Sequence, residues 1–201
     1  MWEIILAAGW PIWPLIFASI IAVAIIGERF VALRDEKIIP SSLLLEVQKW
    51  LGQGSVNKET LSKLSQHSPL GEVFASALAN AKSSREVTKE AIEESGRAVA
   101  HKLERYLPTL GTIATVAPLL GLLGTVIGMV ELFGSFTNSG HDVAQFARGI
   151  SVALYNTAAG IVVAVPAMIF YRYFRGKVDG YIVDMEQQAI KLVELIHGDR
   201  K

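Results

Sequence analysis

Cysteine is absent from the 201 residues of this chain, and histidine occurs only four times. Without cysteine there is no disulfide framework, no thiol nucleophile and no cysteine-based zinc site. The histidines are scattered, without the spacing of a metal site, at positions 67, 101, 141 and 197. The patterns GxxxxGK[ST], HExxH and GxSxG are missing as well. We therefore expect no enzymatic activity, no metal and no cofactor.

An excess of charge of either sign is also missing. The chain carries 19 basic and 19 acidic residues, so its formal net charge is zero. No overall field attracts nucleic acid or acidic substrates, and no nucleic-acid partner is expected. The mean hydropathy is nevertheless positive, at +0.39. Apolar residues must therefore be concentrated in particular segments.

Charged residues are missing from three long apolar runs, at 4–27, 107–130 and 149–171. A helix of about 23 residues rises roughly 34 Å, enough to cross a hydrocarbon core of about 30 Å. The first run could also be a cleaved signal peptide. It has no basic segment before it and is longer than the apolar part of such a peptide. We therefore predict three membrane spans, the first of them retained.

The basic residues are distributed unevenly around these runs. Twelve lie between 28 and 106, six lie between 172 and 201, and only Arg148 lies in between. By the positive-inside rule, the middle region and the tail are cytoplasmic, and the N-terminus and the turn at 131–148 are outside. Trp2, Trp10 and Trp13 cluster at the outer end of the first span, where aromatic anchors are common.

The remaining segments show helical periodicity and no sustained strand-like alternation. Short helices are predicted to follow Ser42 and to cover 57–66, with a break at Ser68-Pro69 and a helical pattern from Leu70 onward. The predicted fold is all-α, a three-span protein whose membrane helices extend into a cytoplasmic helical domain. Its parts are the first membrane helix at 1–33, a cytoplasmic domain at 34–106, the second membrane helix at 107–136, a short outer loop at 137–148, the third membrane helix at 149–173 and a cytoplasmic C-terminal helix at 174–201.

Small residues recur at three- and four-residue steps in the second and third runs. Gly124 and Gly128 form a GxxxG motif, which Gly121 extends by one turn. The third run carries Gly149, Ala153, Thr157, Gly160, Ala164 and Ala167 at such steps. Such faces allow two helix backbones to approach closely, so Gly121, Gly124, Gly128, Ala153 and Gly160 are predicted to be helix-packing sites. Two small faces in one chain favour a tight bundle or an oligomer.

Four polar side chains within the runs are candidates for a pore lining: Ser151, Asn156 and Thr157 in the third run and Thr125 in the second. At 1.5 Å per residue, Thr125 lies roughly 9 Å and Thr157 roughly 4–5 Å outward from the midpoint of its run. The two hydroxyls therefore share one half of the membrane. One interpretation is a polar ring around a pore. The other is that each hydroxyl hydrogen-bonds to its own helix, which needs no function. The sequence leaves both open.

Ionisable residues are missing at membrane depth, where a proton pathway usually has a titratable group. Glu131 and Arg148 lie only at the ends of the second and third runs. If this chain moves protons, the titrating carboxylate must therefore come from another chain. Pro118 and Pro166 lie inside the runs and are predicted to kink the helices, either as fixed bends or as hinges.

Two blocks of sequence resemble the ExbB/TolQ/MotA proton-channel family. The first is the run Gly111–Gly128, with Ala117-Pro118 and GLLGTVIG at 121–128. The second is ALYNTAAG at 153–160, followed by Val165-Pro166-Ala167. The order of the spans and the large insert after the first resemble the ExbB and TolQ branches, ExbB most, whereas MotA-type members have four spans.

The resemblance implies a subunit of a motor driven by the proton-motive force in the bacterial inner membrane, in contact with membrane lipid. It implies a homopentamer around two copies of an ExbD-like single-span protein, whose membrane aspartate carries the proton. The two family threonines that face this aspartate match Thr125 and Thr157. A TonB-like protein would then transmit the work to outer-membrane transporters.

One position departs from the family pattern. Many ExbB proteins carry a glutamate five residues before the threonine of the third span, where this chain has Val152. Either that glutamate is dispensable in this branch, or this chain has lost activity, or Ser151 and Asn156 keep the site hydrated; the first and third explanations are favoured. Two other functions stay open: a TolQ-like subunit of the Tol-Pal envelope system, and a passive oligomeric membrane scaffold.

Overall fold

The structure is a computed structural model that describes residues 9–53, 56–136 and 143–197. Within these ranges every regular element is a helix, which confirms the predicted all-α class. The helices are α1 (Ile12–Ala32), α2 (Asp35–Ile38), α3 (Leu43–Gly52), α4 (Lys58–His67), α5 (Pro69–Ala79), α6 (Arg85–Leu103), α7 (Leu107–Phe136) and α8 (Val143–His197). The predictions for Trp2, His141, the loop residues 137–142 and the tail residues 198–201 lie outside the described residues.

Three helices are long and apolar enough to cross a membrane, which confirms the three predicted spans. They are α1, α7 and α8, and α8 continues from the third span to His197. Pro118 and Pro166 lie inside α7 and α8, and both helices continue through their proline. α8 begins at Val143, so residues 143–148 belong to this helix.

The short helices begin where the sequence supplies capping groups. The side chain of Asn57 accepts a hydrogen bond from the amide of Thr60 at 2.8 Å, and that of Ser68 accepts one from Gly71 at 3.0 Å. Each oxygen satisfies an amide that has no partner within its helix. The helical pattern from Leu70 is interrupted after Ala79, and Ser84 caps the next helix. The helical periodicity of the sequence does not predict this interruption.

The chain forms two compact units. The first unit contains the described residues up to Glu28 together with Tyr106–Tyr173, and so holds most of α1, all of α7 and the first part of α8. Leu15, Ala117 and Ala164, one from each of these helices, form a buried cluster. The small alanine side chains let the helices approach closely, as is usual where membrane helices pack.

The second unit contains Arg29–Arg105 and the described residues from Phe174 onward. Its helix α5 packs against both α4 and α6. Leu70 and Phe74 of α5, Val99 of α6 and Val178 and Leu192 of α8 are fully buried. Burial of apolar side chains of this size drives the packing of the four helices.

Two contacts in the second unit join residues that are far apart in the chain. The guanidinium of Arg29 is buried and donates a hydrogen bond to the carbonyl oxygen of Leu103 at 3.1 Å. The rings of Phe30 and Phe174 meet edge to face, with centroids 5.0 Å apart. Together these contacts connect the residues after Glu28 to the end of α6 and to the second part of α8.

A polar cluster of Asp35, Lys177 and Tyr181 lies in the same unit. The Tyr181 hydroxyl donates to the Asp35 carboxylate and lies 2.9 Å from the carbonyl oxygen of Leu33, and Lys177 Nζ lies 3.1 Å from the same carboxylate. The hydrogen bond from Tyr181, followed by that from Lys177, lowers the pKa of Asp35. Burial, and then the hydrogen bond to Asp35, raises the pKa of Tyr181 to about 12.

Candidate functional site

The backbones of α7 and α8 approach each other closely at two glycines. A Cβ atom placed on Gly121 would lie 2.7 Å from the carbonyl oxygen of Asn156 and 3.0 Å from the Cα of Thr157. A Cβ atom placed on Gly160 would lie 2.6 Å from the carbonyl oxygen of Ala117. Real Cβ atoms do not approach other atoms so closely, because dense packing leaves no room for overlap. Any larger side chain at Gly121 or Gly160 would push the helices apart.

The same α7–α8 interface continues along the helices toward the end of α7 and the beginning of α8. A Cβ atom on Gly124 would lie 2.6 Å from the Cβ of Asn156, and one on Gly128 would lie 3.3 Å from the Cβ of Ala153. Ala153 and Asn156 are almost completely buried. The structure thus brings together all five residues for which the sequence predicted helix packing.

Two further glycines, Gly111 and Gly149, extend this interface. A Cβ atom on Gly111 would lie 3.2 Å from the ring of Tyr171, and one on Gly149 would lie 2.5 Å from a methyl group of Leu132. Gly149 belongs to the series of small residues that the sequence shows in the third run, four residues before Ala153. Gly111 lies ten residues before Gly121, so the local pattern does not identify it. Only the helix pairing shows that Gly111 faces the ring of Tyr171.

Thr157 forms a hydrogen bond between the two helices. Its hydroxyl donates to the carbonyl oxygen of Gly121 at 3.3 Å. This bond differs from the second interpretation of the sequence, because the hydroxyl donates to the other helix and not to its own. The side chain remains partly exposed.

Thr125 and Ser151 form hydrogen bonds within their own helices. The Thr125 hydroxyl donates to the carbonyl oxygen of Leu122 at 2.6 Å, and the Ser151 hydroxyl donates to that of Ala147 at 2.9 Å. Such bonds satisfy a hydroxyl in an apolar medium. Thr125 is partly exposed and lies one helical turn from Gly121, the residue that accepts the bond from Thr157.

Asn156 lies inside the α7–α8 interface and not on an open face of the chain. Only 1% of its surface is exposed, and its side chain lies against Gly124. Burial of an amide side chain in an apolar environment is costly unless the amide is hydrogen-bonded. Asn156 fits at this place because Gly124 has no side chain, and any larger residue at position 124 would overlap it. The side chains of Arg148 and Val152 lie outside the described part of the chain.

Large apolar side chains remain exposed beside the two threonines. On α7 these include Leu122 and Val126, and on the membrane part of α8 they include Leu154 and Ile161. Such surfaces fit lipid tails or other membrane helices. The hydroxyls of Thr125 and Thr157 are therefore polar groups next to an exposed apolar surface.

The model of the MotA/TolQ/ExbB proton channel family matches residues 65–187, more than half of the chain. This range contains the whole α7–α8 interface and both threonines. The chain belongs to the MotA/TolQ/ExbB proton channel family. As a family member with three candidate spans it is a multi-pass membrane protein, and it belongs with transport proteins and not with enzymes.

Individual proteins named ExbB or TolQ are similar in sequence to this chain. An ExbB-like protein of Synechocystis, ExbB-like 3, is 31% identical over 81% of this chain and 79% of its own length. The biopolymer transport protein ExbB of Pseudomonas putida is 34% identical over 71% of this chain and 44% of its own length. The Tol-Pal system protein TolQ of Pseudomonas aeruginosa is 38% identical over 38% of this chain and 33% of its own length. The chain thus spans less than half the length of the two Pseudomonas relatives.

Proposed function

We propose that this chain is the ExbB-like channel subunit of a biopolymer transport system driven by the proton-motive force. The observation that carries the proposal is the family match over residues 65–187, which includes the interface with Thr157. Relatives named ExbB, which match 71% and 81% of the chain, support the ExbB branch. The chain's role is to form the wall of the proton path.

Thr157 and Thr125 are the proposed lining of this path, with Ser151 beside them and Asn156 behind Thr157. Both threonines are partly exposed; the hydroxyl of Thr157 donates to the carbonyl oxygen of Gly121, and Thr125 lies one helical turn after Gly121. No acidic or basic residue occurs in 107–130 or 149–171. A proton path through an apolar medium needs a titratable group, so a partner must supply it. An ExbD-like aspartate is the proposed group.

The proposed assembly is a homopentamer around two copies of an ExbD-like single-span protein, with a TonB-like protein as the next partner. The exposed apolar faces of α1, α7 and α8 support contacts with lipid and with other membrane helices. The distribution of basic residues supports an N-terminus outside and a second unit on the cytoplasmic side of a bacterial inner membrane.

A TolQ-like role in the Tol-Pal system is the second candidate. It is favoured by the TolQ relative, which has a higher identity but covers only 77 residues. The ExbB relatives cover about twice that length. The two systems differ in their partners, so the partner's sequence distinguishes them.

Native mass spectrometry of the mildly extracted complex, purified through this chain from its own cells, tests the proposal. Five copies with two copies of a single-span protein are expected. A homo-oligomer without such a partner would contradict the motor, because no titratable group would then lie in the membrane. The scaffold function would take its place.

A second experiment separates a motor from a scaffold when assembly is normal. Thr157→Val removes the hydroxyl with little change of shape, and Thr112→Val is the matched control because its hydroxyl bonds only to its own helix at Pro108. Proton flux into vesicles that contain the complex should fall for the first variant only. Equal flux in both variants would favour the scaffold.

A further inference from the structure

The described serine and threonine hydroxyl groups of the second and third spans all act as hydrogen-bond donors to the backbone. Between residues 110 and 171 the described serine and threonine side chains each donate to a backbone carbonyl oxygen. They are Thr112, Thr115, Thr125, Ser151 and Thr157. A carbonyl oxygen only accepts hydrogen bonds, so the hydroxyl must be the donor in each pair. Since its proton is already donated, each hydroxyl oxygen can only accept a further hydrogen bond, through its lone pairs.

This arrangement determines what Thr125 and Thr157 offer to a partner. The Thr125 hydroxyl donates its proton to the carbonyl oxygen of Leu122, with the two oxygens 2.6 Å apart. The Thr157 hydroxyl donates its proton to the carbonyl oxygen of Gly121, with the two oxygens 3.3 Å apart. A group that approaches from the exposed side therefore meets oxygen lone pairs. It meets a free hydroxyl proton only if one of these two bonds is broken first.

Other donors and charges that could change this picture lie elsewhere. The amide of Asn156 is buried against Gly124. Tyr155 lies two residues before Thr157, and residues at that spacing face different sides of a helix. Tyr171 lies against Gly111. The facing segments of α1, α7 and α8, at 12–27, 107–130 and 149–171, contain no Asp, Glu, Lys, Arg or His.

We propose that Thr125 and Thr157 select the protonated, neutral form of the partner's membrane carboxyl group by accepting its hydrogen bond. The proposal rests on the proposed function, because that function requires the partner's carboxyl. A protonated carboxyl has an O–H to donate, whereas a carboxylate only accepts. Beside acceptor oxygens and the apolar side chains of Leu122 and Leu154, a carboxylate has neither donor nor counter-charge, and its ionisation is disfavoured.

The selection has a direct consequence for transport. The neutral acid is stable at this depth, and loss of its proton removes the hydrogen bond and leaves an unsolvated charge. The carboxylate must then leave the two threonines for a wetter place before it is protonated again. The protonation state of the partner is thereby coupled to its position relative to this chain.

Carbodiimide labelling of the purified complex tests this proposal. Dicyclohexylcarbodiimide reacts with protonated carboxyl groups in apolar surroundings, so labelling of the partner, followed by mass spectrometry against pH, reports its protonation. In Thr157→Val the labelling midpoint should fall by about half to one pH unit, the worth of one hydrogen bond to the neutral form. Thr157→Ser, which keeps the hydroxyl, should label like the unchanged protein. A rise of the midpoint would mean that Thr157 donates to the carboxylate, and an unchanged midpoint would mean that it does not bind the group; either overturns the proposal.

Thr125→Val is the second variant. Its hydroxyl bonds only within α7, so the α7–α8 interface does not depend on it, even if Thr157→Val disturbs that interface. Its midpoint should also fall, and Thr112→Val should leave the midpoint unchanged. If no co-purified partner with a membrane carboxyl is labelled at any pH, the proposed function itself fails. If the partner is labelled but the labelling midpoint does not fall in the threonine variants, only the proposed selection of the neutral carboxyl group is contradicted.

Discussion

Thr157 of α8 and Gly121 of α7 are joined by a hydrogen bond of 3.3 Å between hydroxyl and carbonyl oxygen. In a regular helix the same carbonyl also accepts the amide of Thr125, four residues later. The bond is reached because Gly121 has no side chain, since a Cβ there would lie 3.0 Å from the Cα of Thr157. The glycine therefore determines both the approach of the helices and the orientation of the threonine.

Removal of this bond should lower stability slightly. Thr157→Val is expected to cost about 0.5–1.5 kcal/mol, the range for a hydrogen bond between membrane helices or within a protein. Thr157→Ser should cost less, because it keeps the donor. Thermal unfolding of the two variants in detergent, followed by circular dichroism, measures the difference. Equal melting temperatures would mean that the bond adds nothing to stability.

Gly124→Ala should destabilise the α7–α8 interface. The added methyl would lie 2.6 Å from the Cβ of Asn156, and overpacking of this kind typically costs about 1–3 kcal/mol. Gly134→Ala is the matched control in the same helix, because no atom lies within 4 Å of its added Cβ. The control should be neutral or slightly stabilising, since alanine favours helix over glycine. Melting temperatures in detergent test the pair, and a loss of similar size in both variants would argue against the observed helix pairing.

Arg29→Met should destabilise the second unit. Arg29 is 5% exposed and donates to the carbonyl oxygen of Leu103. Loss of the donor leaves that buried oxygen with one partner fewer, at a cost of about 1–3 kcal/mol. Arg97→Met is the control, because Arg97 is exposed and forms a long ion pair of 3.9 Å with Glu93 of the same helix. Exposed pairs of this kind contribute about 0.3–0.5 kcal/mol. Chemical denaturation should rank the two variants in this order, and the opposite order would be inconsistent with a buried Arg29.

Tyr181 should ionise later than an ordinary tyrosine. Burial, and then the hydrogen bond to Asp35, raises its pKa from 10.0 to about 12. The difference in absorbance at 295 nm between the unchanged protein and Tyr181→Phe should therefore develop near pH 12. A difference that is complete near pH 10 would contradict the buried contact.

The same shift predicts how stability depends on pH. The folded state favours the protonated phenol, so the contribution of Tyr181 is fully present below pH 10.0 and is lost as the pH rises toward 12. The lowered pKa of Asp35 acts in the opposite direction, so its contribution is present above 3.8 and is lost as the pH falls further. Tyr181→Phe should thus melt lower than the unchanged protein at neutral pH, and the deficit should shrink between pH 10 and 12. A deficit that does not change with pH would show that ionisation of Tyr181 has no effect.

The sequence by itself determined the class of this protein. Three runs without charge are long enough to cross a membrane, and helical periodicity elsewhere leaves no strand, so an all-α protein with three spans follows from local patterns. Glycine spacing likewise identified Gly121, Gly124 and Gly128 as small positions on one face of a helix. The blocks around Thr125 and Thr157 carried the resemblance to the channel family that the comparison with known proteins then showed.

Only the tertiary structure decided which groups meet. The partner of Thr157 lies 36 residues away, that of Arg29 lies 74 residues away, and that of Tyr181 lies 148 residues away. Periodicity reports which face of a helix is apolar, but it does not report which helix covers that face or at what height. Asn156 is the clearest case, because the sequence marks it only as a polar residue in a span. Its burial against Gly124 depends on how α7 and α8 pair, which is a property of packing between distant segments.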